Sequence, residues 1–321
     1  MKPSESLTLI SVIVPVHDRE KRLERTLLTI SGQSYRPIEL ILVDNNSQDG
    51  SLDCSLRFQE NHQDPFFNVK VIQEPKTGAN AARNAGLARA TGEYVLFFDS
   101  DDIMYSDCLL NIAGKLMADN FPDVLAYSSY IRYSDGTLSR RPHIYSTKPA
   151  DQLFTTVIPT HGLCIKRSFL PEIGPWDESL ARWQDLEFGF RVLLKTKNLK
   201  WYFGNPLYEV VNHRNSISGS SYTADHEILY ASLMRIRENI ERQPEGKEKD
   251  SQRGALCYKI CTIGAQIRKE GHEALGKNYL QKAIDLLPNP SRSGNILVLR
   301  FQFWYQGLGG RGFWRLARKL L

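Results

Sequence analysis

Short apolar runs alternate with helix-spaced segments through the first hundred residues, and few folds accept that order. Residues 8–16 (TLISVIVPV) are rich in Ile and Val, as suits a strand buried on both faces. Residues 20–31 then place Leu23, Leu27 and Ile30 at helical spacing, and Gly32 stops the helix. Strands are expected again at 38–43, 69–73 and 93–98, with helices at 79–90 and 106–119. The turn-forming DNNSQDGS offers Ser47 or Asp49 as a cap for a further helix. The order predicts a mostly parallel α/β sheet with helices on both faces. Beyond Phe121 the pattern loosens: strands are expected at 123–133, 162–165, 200–202 and 208–211, and a helix at 185–196. From Asp225 the composition turns helical, with helices at 225–242, 254–270 and 272–287. The expected domains are therefore 1–222, α/β, and 223–321, an α-helical extension with a basic, aromatic tail.

In such a sheet, ligands bind beyond the carboxyl ends of the strands. Three of the strands end in polar or acidic residues: Pro15-Val16-His17-Asp18, Asp44-Asn45-Asn46, and Asp99-Ser100-Asp101-Asp102. A single strand-end Asp is ordinary turn chemistry. Three that converge on one edge fit a ligand crevice better. The densest cluster, DSDD, brings together charges that repel unless a cation is shared. Hard divalent cations such as Mn²⁺ or Mg²⁺ take such oxygen ligands, often together with substrate phosphates. No GxGxxG follows the first strand and no GxxxxGK[ST] occurs, against a dinucleotide oxidoreductase and a P-loop nucleotidase.

Six stretches then carry a resemblance, in a fixed order: SVIVPVHDRE, IELILVDNNSQDGS, TGANAARNAGLARATGEYVLFFDSDD, PEIGPWDESL, WQDLEFGFRVLL and HRNSIS. Over its first ~220 positions the chain resembles a family 2 glycosyltransferase with the GT-A fold, a Rossmann-like sheet. The resemblance implies an inverting transfer of a sugar from a nucleotide-diphosphate donor, with Mn²⁺ or Mg²⁺, to a glycan or lipid-linked acceptor. It implies that Pro15, Val16 and Asp18 line the nucleoside pocket and that Asp44 accepts from the base, a uracil imide suiting a carboxylate. Arg83, Asp99 and Ser100 then face the donor, Asp99, Asp101 and His213 hold the metal, and Asp185 is the catalytic base. Asp102 is expected as a neighbour of the metal pair. The chain departs from the family pattern at His17, Asp18, Asn45 and Gln184, where the family often has an aromatic, Asn and further acids.

Other residues carry weaker signals. Glu187 would point elsewhere on its helix than Asp185. His161, before Gly162, is a candidate acceptor contact, and Trp176, Asp177 and Trp183 are candidate walls of an acceptor pocket. Cys257 and Cys261 lie one helical turn apart, as core residues do, and the five scattered cysteines fit a reducing, cytoplasmic compartment. A sugar-nucleotide pyrophosphorylase would need a Gly-rich basic loop after the first strand, and PVHDREKR has no glycine. The alternative on the same fold is a catalytically weak carbohydrate- or nucleotide-sugar-binding protein. The implied biology is surface polysaccharide, glycolipid or glycoprotein synthesis in the cell envelope.

Charge is unevenly placed. Residues 288–321 hold six basic residues and no acidic one, so removing them from the net +5 leaves −1 for the first 287. That near-neutral body gives no nucleic-acid footprint. No stretch reaches the ~18–20 apolar residues of a membrane span. From Gly312 the tail is expected to form a short amphipathic helix with Phe313, Leu316, Ala317 and Leu320 on one side. It reads equally as a peripheral anchor on the inner face of the membrane and as a helix docked on its own domain.

Overall fold

The computed structural model describes residues 7–141, 144–212, 221–287 and 293–321. In chain order the elements begin with β1 (Ile10–Val16), α1 (Glu20–Ser31), β2 (Ile38–Asp44), α2 (Ser51–Asn61), β3 (Phe67–Gln73), α3 (Ala79–Arg89) and β4 (Tyr94–Phe97). They continue with β5 (Ile103–Met104), α4 (Cys108–Ala118), β6 (Val124–Ala126), β7 (Tyr130–Arg132), β8 (Leu138–Arg140), α5 (Pro149–Phe154), β9 (Leu163–Lys166), α6 (Leu170–Ile173) and α7 (Gln184–Lys195). The remainder are β10 (Leu199–Trp201), β11 (Tyr208–Val211), α8 (Tyr222–Glu241), α9 (Lys247–Lys269), α10 (Glu273–Asp285), α11 (Ser293–Gly307) and α12 (Trp314–Leu320).

Two compact units share these elements and interleave in sequence. One comprises Met1–His143, Pro159–Glu178 and Lys195–His213; the other comprises Ile144–Ile158, Ser179–Leu194 and Arg214–Leu321.

The first unit is built on a sheet of order β10-β6-β9-β4-β1-β2-β3, with a smaller sheet β5-β11-β7-β8 beside it. The pairs β1–β2, β1–β4, β2–β3 and β6–β10 are parallel, and β9 is antiparallel between β4 and β6. Burial explains why β1 and β2 are mainly apolar: Ile10, Val12, Ile13, Val14 and Val16 are inaccessible, as are Leu40 to Val43, and the buried Ser11 hydroxyl donates to the buried Glu39 carboxylate on the next strand. Each such side chain contributes about 1.5–3 kcal/mol. On α1, Leu23, Thr26, Leu27 and Ile30 form the buried stripe, and Gly32 caps the helix. Gly86 lets α3 lie against β1, since a Cβ there would meet Ile13 Cγ2 at 2.4 Å. The strand expected at 123–133 is two strands. Its first part, β6, belongs to the large sheet and its second, β7, to the small one, with buried Tyr127, Ser128 and Ser129 carrying the chain between them.

The second unit is helical. α9 lies at its centre, packed by α8, α10, α11 and α5. Its core includes Leu229, Leu233, Ile236, Ile260, Cys261, Ile263, Leu299 and Phe303, so Cys257 and Cys261 are core residues, as expected. The tail packs here. Ala317 is fully buried, and Phe313, Trp314 and Leu321 lie against the same core. Arg318 donates to the buried carboxylate of Asp151.

Candidate functional site

Register fixes which strand ends share an edge. β1 and β2 pair Val16 with Asp44, and β1 and β4 pair Ile13 with Phe97. The segments 15–18, 44–46 and 99–102 therefore emerge at the carboxyl edge of one sheet, as the sequence pattern requires. Pro15 and Val16 finish β1. Asp18 has φ 49, a left-handed conformation that Asp tolerates. Its carboxylate accepts from Gln48 N–H at 2.8 Å, and its own N–H donates to Ser47 Oγ at 3.2 Å, joining the first two loops.

Asp44 is buried at the end of β2. Its Oδ2 accepts from Ser47 N–H at 3.3 Å, while Oδ1 is buried without a hydrogen-bond partner. A buried acceptor left open costs on the order of 1–3 kcal/mol, so the position is suited to an N–H supplied from outside the chain. Asn45 stands where the family often has a second acid, and its amide is fully used. Nδ2 donates to Glu74 O and Lys76 O, and Oδ1 accepts from Gly78 N–H at 2.7 Å. A carboxylate there would lose both donations.

The DSDD loop is pinned by α1: Arg25 donates to Asp101 O at 2.6 Å and Thr26 to Asp102 O at 2.9 Å. Asp99 pairs with Arg83 at 3.2 Å, and the Arg83 guanidinium lies 4.8 Å over the Trp176 ring. Trp176 is itself buried, edge-on to Phe97, so it packs beneath the site. Ser100 is buried in the same loop. Asp101 turns to Arg19, with Nε 3.3 Å from Oδ2. Asp102 is buried, and its Oδ1 accepts from Val211 N–H at 2.8 Å.

His161 lies between two of these acids, with Nδ1 3.3 Å from Asp99 and Nε2 3.1 Å from Asp102. Burial and the neighbouring charge of Asp99 push the Asp102 carboxyl well above the usual carboxylate range. Burial works against Asp99 too, but His161 and Arg83 hold its carboxyl below the usual value. Sequence reasoning gave His161 to an acceptor. A signal for its true neighbours exists only in topology: β9 runs antiparallel beside β4, so the residues just before it return to the edge where β4 ends.

Ligand atoms of Asp99, Asp102 and His161 lie within 4.8 Å of one another. Two carboxylates and an imidazole, with one carboxyl raised by burial and by its neighbour's charge, are a donor set that fits Mn²⁺, and Mg²⁺ less well because of the nitrogen. Asp99 is common to this set and to the one read from the motif. Asp101 adjoins it through the same loop, and His213 lies outside the described residues.

Asp185 sits in the second unit, in the first turn of α7, half-exposed, with Oδ1 accepting from Leu186 N–H at 2.8 Å. Glu187 is buried and closed by Arg191, which donates to it at 2.6 and 2.8 Å, so its charge is already spent. Lys259 Nζ lies 4.9 Å over the Trp183 ring, and burial draws its ammonium down to about 8 against the opposing pull of Asp185. Trp183 also meets Tyr222 edge-on. Asp177 offers its carbonyl to Asn80 at 2.7 Å, in the first unit.

The family model "Glycosyl transferase family 2" matches residues 11–170. An uncharacterized glycosyltransferase of Nostoc sp. is 28% identical over 230 residues, 68% of this chain and 70% of that protein. Against two further relatives, from Haemophilus influenzae and Borreliella burgdorferi, the chain spans 40% and 62% of their length. Among solved structures, S. aureus TarS 1–349 in complex with UDP-GlcNAc superimposes with TM-score 0.69 at 18% identity, covering 97% of this chain and 90% of that one. A mannosyltransferase from Pyrobaculum calidifontis in complex with GDP-Man and Mn²⁺ gives 0.60 at 16% identity, covering 98% and 87%. At those identities the structural likeness establishes the fold. With the matched residues containing both the strand-end clusters and the DSDD loop, the chain belongs to the family 2 glycosyltransferases and has their GT-A fold.

Proposed function

We propose that the protein catalyses an inverting transfer of a sugar from a uridine-diphosphate donor to a hydroxyl of a glycan or lipid-linked acceptor. The observation that carries this reading is the open Oδ1 of buried Asp44 on the same sheet edge as Arg83, Asp99, Asp102 and His161. Asp44 accepts the imide N–H of the base, and Pro15, Val16 and Asp18 wall the nucleoside. Arg83 and Ser100 address the diphosphate and donor sugar, with Arg83 also fixing Asp99. Asp99 with Asp101 and His213, or Asp99 with Asp102 and His161, would hold a divalent cation, which when bound offsets the charge developing on the diphosphate leaving group.

Asp185 takes the proton from the acceptor hydroxyl while that oxygen bonds to the anomeric carbon. The bond from that carbon to the diphosphate breaks, and the configuration inverts. A TarS complex with UDP-GlcNAc and a mannosyltransferase complex with Mn²⁺ support donor and metal class by likeness of fold.

A thermal-shift panel of nucleotide diphosphates, with Mn²⁺ and with chelator, tests the donor site. The expected result is stabilisation by UDP above GDP, and only with metal; equal stabilisation in chelator removes the metal from the reading. Asp185→Asn is expected to keep UDP binding and lose transfer by roughly 100-fold or more, the scale of general-base catalysis. If UDP binding vanishes with activity, Asp185 is structural. If the native protein binds donor but forms no product with any acceptor, it is the weak binding protein instead.

A further inference from the structure

α11 is already packed on one side: Leu299 and Phe303 are inaccessible, and Val298 and Gln302 are buried with them. Its opposite side should then be polar. It is not. Leu297, Phe301, Trp304 and Leu308, at helical spacing, are 63, 55, 45 and 78% exposed. Tyr305 stacks on Phe301 at 5.6 Å and is also exposed, and so are Leu316 and Leu320 of α12. Large apolar side chains gathered on a surface mark an interaction site. The single apolar face expected on α12 is split by this packing: Phe313 and Ala317 turn inward, while Leu316 and Leu320 stay exposed.

The charge around the stripe says what covers it. Arg300, Arg311, Arg315 and Lys319 are exposed on α11, on α12 and between them, and residues 288–321 include no acid. A second copy of the same face would bring these cations together. A surface of anionic headgroups would neutralise them while its acyl boundary takes up the leucines and aromatics. Trp and Tyr suit that boundary because each has an apolar body and a polar tip. Among the described residues no helix is long and apolar enough to cross a membrane, which fits a helix lying in the surface. We infer that the outer face of α11, with the exposed leucines of α12, seats the second unit on an anionic lipid surface. This does not depend on the donor reading.

The test is co-sedimentation of the full chain with phosphatidylglycerol-containing vesicles and with pure phosphatidylcholine vesicles, at low salt. Binding is expected to the anionic vesicles. It should fall about tenfold or more in the combined Leu297→Ser, Phe301→Ser, Leu308→Ser variant, and likewise in Arg300→Glu, Arg315→Glu, Lys319→Glu. Melting temperature and UDP stabilisation should stay unchanged, since none of these residues belongs to the donor site. If the serine variant does not fold, the charge-reversed one decides alone. Failure of the native chain to bind anionic vesicles overturns the inference, and so does equal binding by the charge-reversed variant. Self-association in sedimentation velocity that the serine variant abolishes, with no vesicle binding, would assign the face to a second copy.

Discussion

Carboxylates are held in opposite ways in the second unit and at the carboxyl edge of the first unit's large sheet. In the second, ion pairs close within the unit: Lys249 on Glu241 and Glu245, Arg182 on Asp225, Arg191 on Glu187, Arg318 on Asp151. In the first, at the carboxyl edge of the sheet, like charges are held side by side. Asp99 and Asp102 share one histidine, the Asp102 carboxyl is pushed upward, and Asp44 keeps an open buried oxygen. Closed pairs stabilise the fold that contains them. Unclosed ones cost stability, and a ligand that completes them recovers it on binding. The same residue type thus closes a pair in one place and stays open in the other, and the partner decides which.

The sharpest break between them should come from Asp102→Asn. Asparagine keeps the acceptor for Val211 N–H and replaces the carboxyl oxygen that faces His161 with an amide nitrogen. Mn²⁺-dependent UDP affinity should fall about tenfold to a hundredfold, the range for losing a metal ligand or its support, with no drop in melting temperature. Calorimetry with Asp101→Asn in parallel assigns the ligands. If Asp101→Asn loses the metal dependence while Asp102→Asn keeps it, the cation belongs to the motif-derived set.

That ambiguity shows what one chain of letters can carry. The strand–helix order, the helix at 20–31 and the shared edge of three strand ends were all legible, because each rests on local periodicity or on the parallel rule. His161 was not placed, because its neighbours lie about sixty residues away and meet it only through the antiparallel β9. The break between β6 and β7 left no signal either, since both halves of that run are equally strand-like and only pairing separates them. Composition shifts near 222, yet α5 and α7 belong to the helical unit, an interleaving made by contacts alone. α11 escaped because its two apolar faces blur the helical period.

The matching test in the second unit is Arg318→Ala. It strips the cation from Asp151, whose side chain is 2% exposed, leaving the Ser146 hydroxyl as donor. Breaking a buried pair from one side costs about 3–5 kcal/mol, and here about 2 kcal/mol is expected because Arg318 is partly open and Ser146 remains. Urea unfolding should show that loss while UDP affinity is unchanged. A loss of UDP affinity at unchanged stability would mean that a closed pair can also serve function, and the contrast would fail.

The smallest expected effect tests the same contrast through pH. Glu270, at the end of α9, accepts from Tyr222 and Thr223 N–H at 2.8 Å and from Ser221 Oγ at 2.7 Å, so it caps the start of α8 from another helix. Partial desolvation raises its carboxyl, but these hydrogen bonds outweigh it and bring it down to about 2 from 4.5. A carboxyl lowered in the folded state stabilises above its unfolded value, and that contribution is lost as pH falls from about 4.5 towards about 2. Glu270→Gln keeps the shape and one acceptor oxygen but loses the charge. At neutral pH it should cost about 1 kcal/mol, the scale of a helix cap. The gap to the native chain should narrow steadily below about pH 4.5, as the native carboxyl takes up its proton. Urea midpoints measured down that range check the sign. A gap that stays constant with pH would mean that the hydrogen bonds act through geometry alone, and that the charge of this closed cap contributes nothing to the unit's stability.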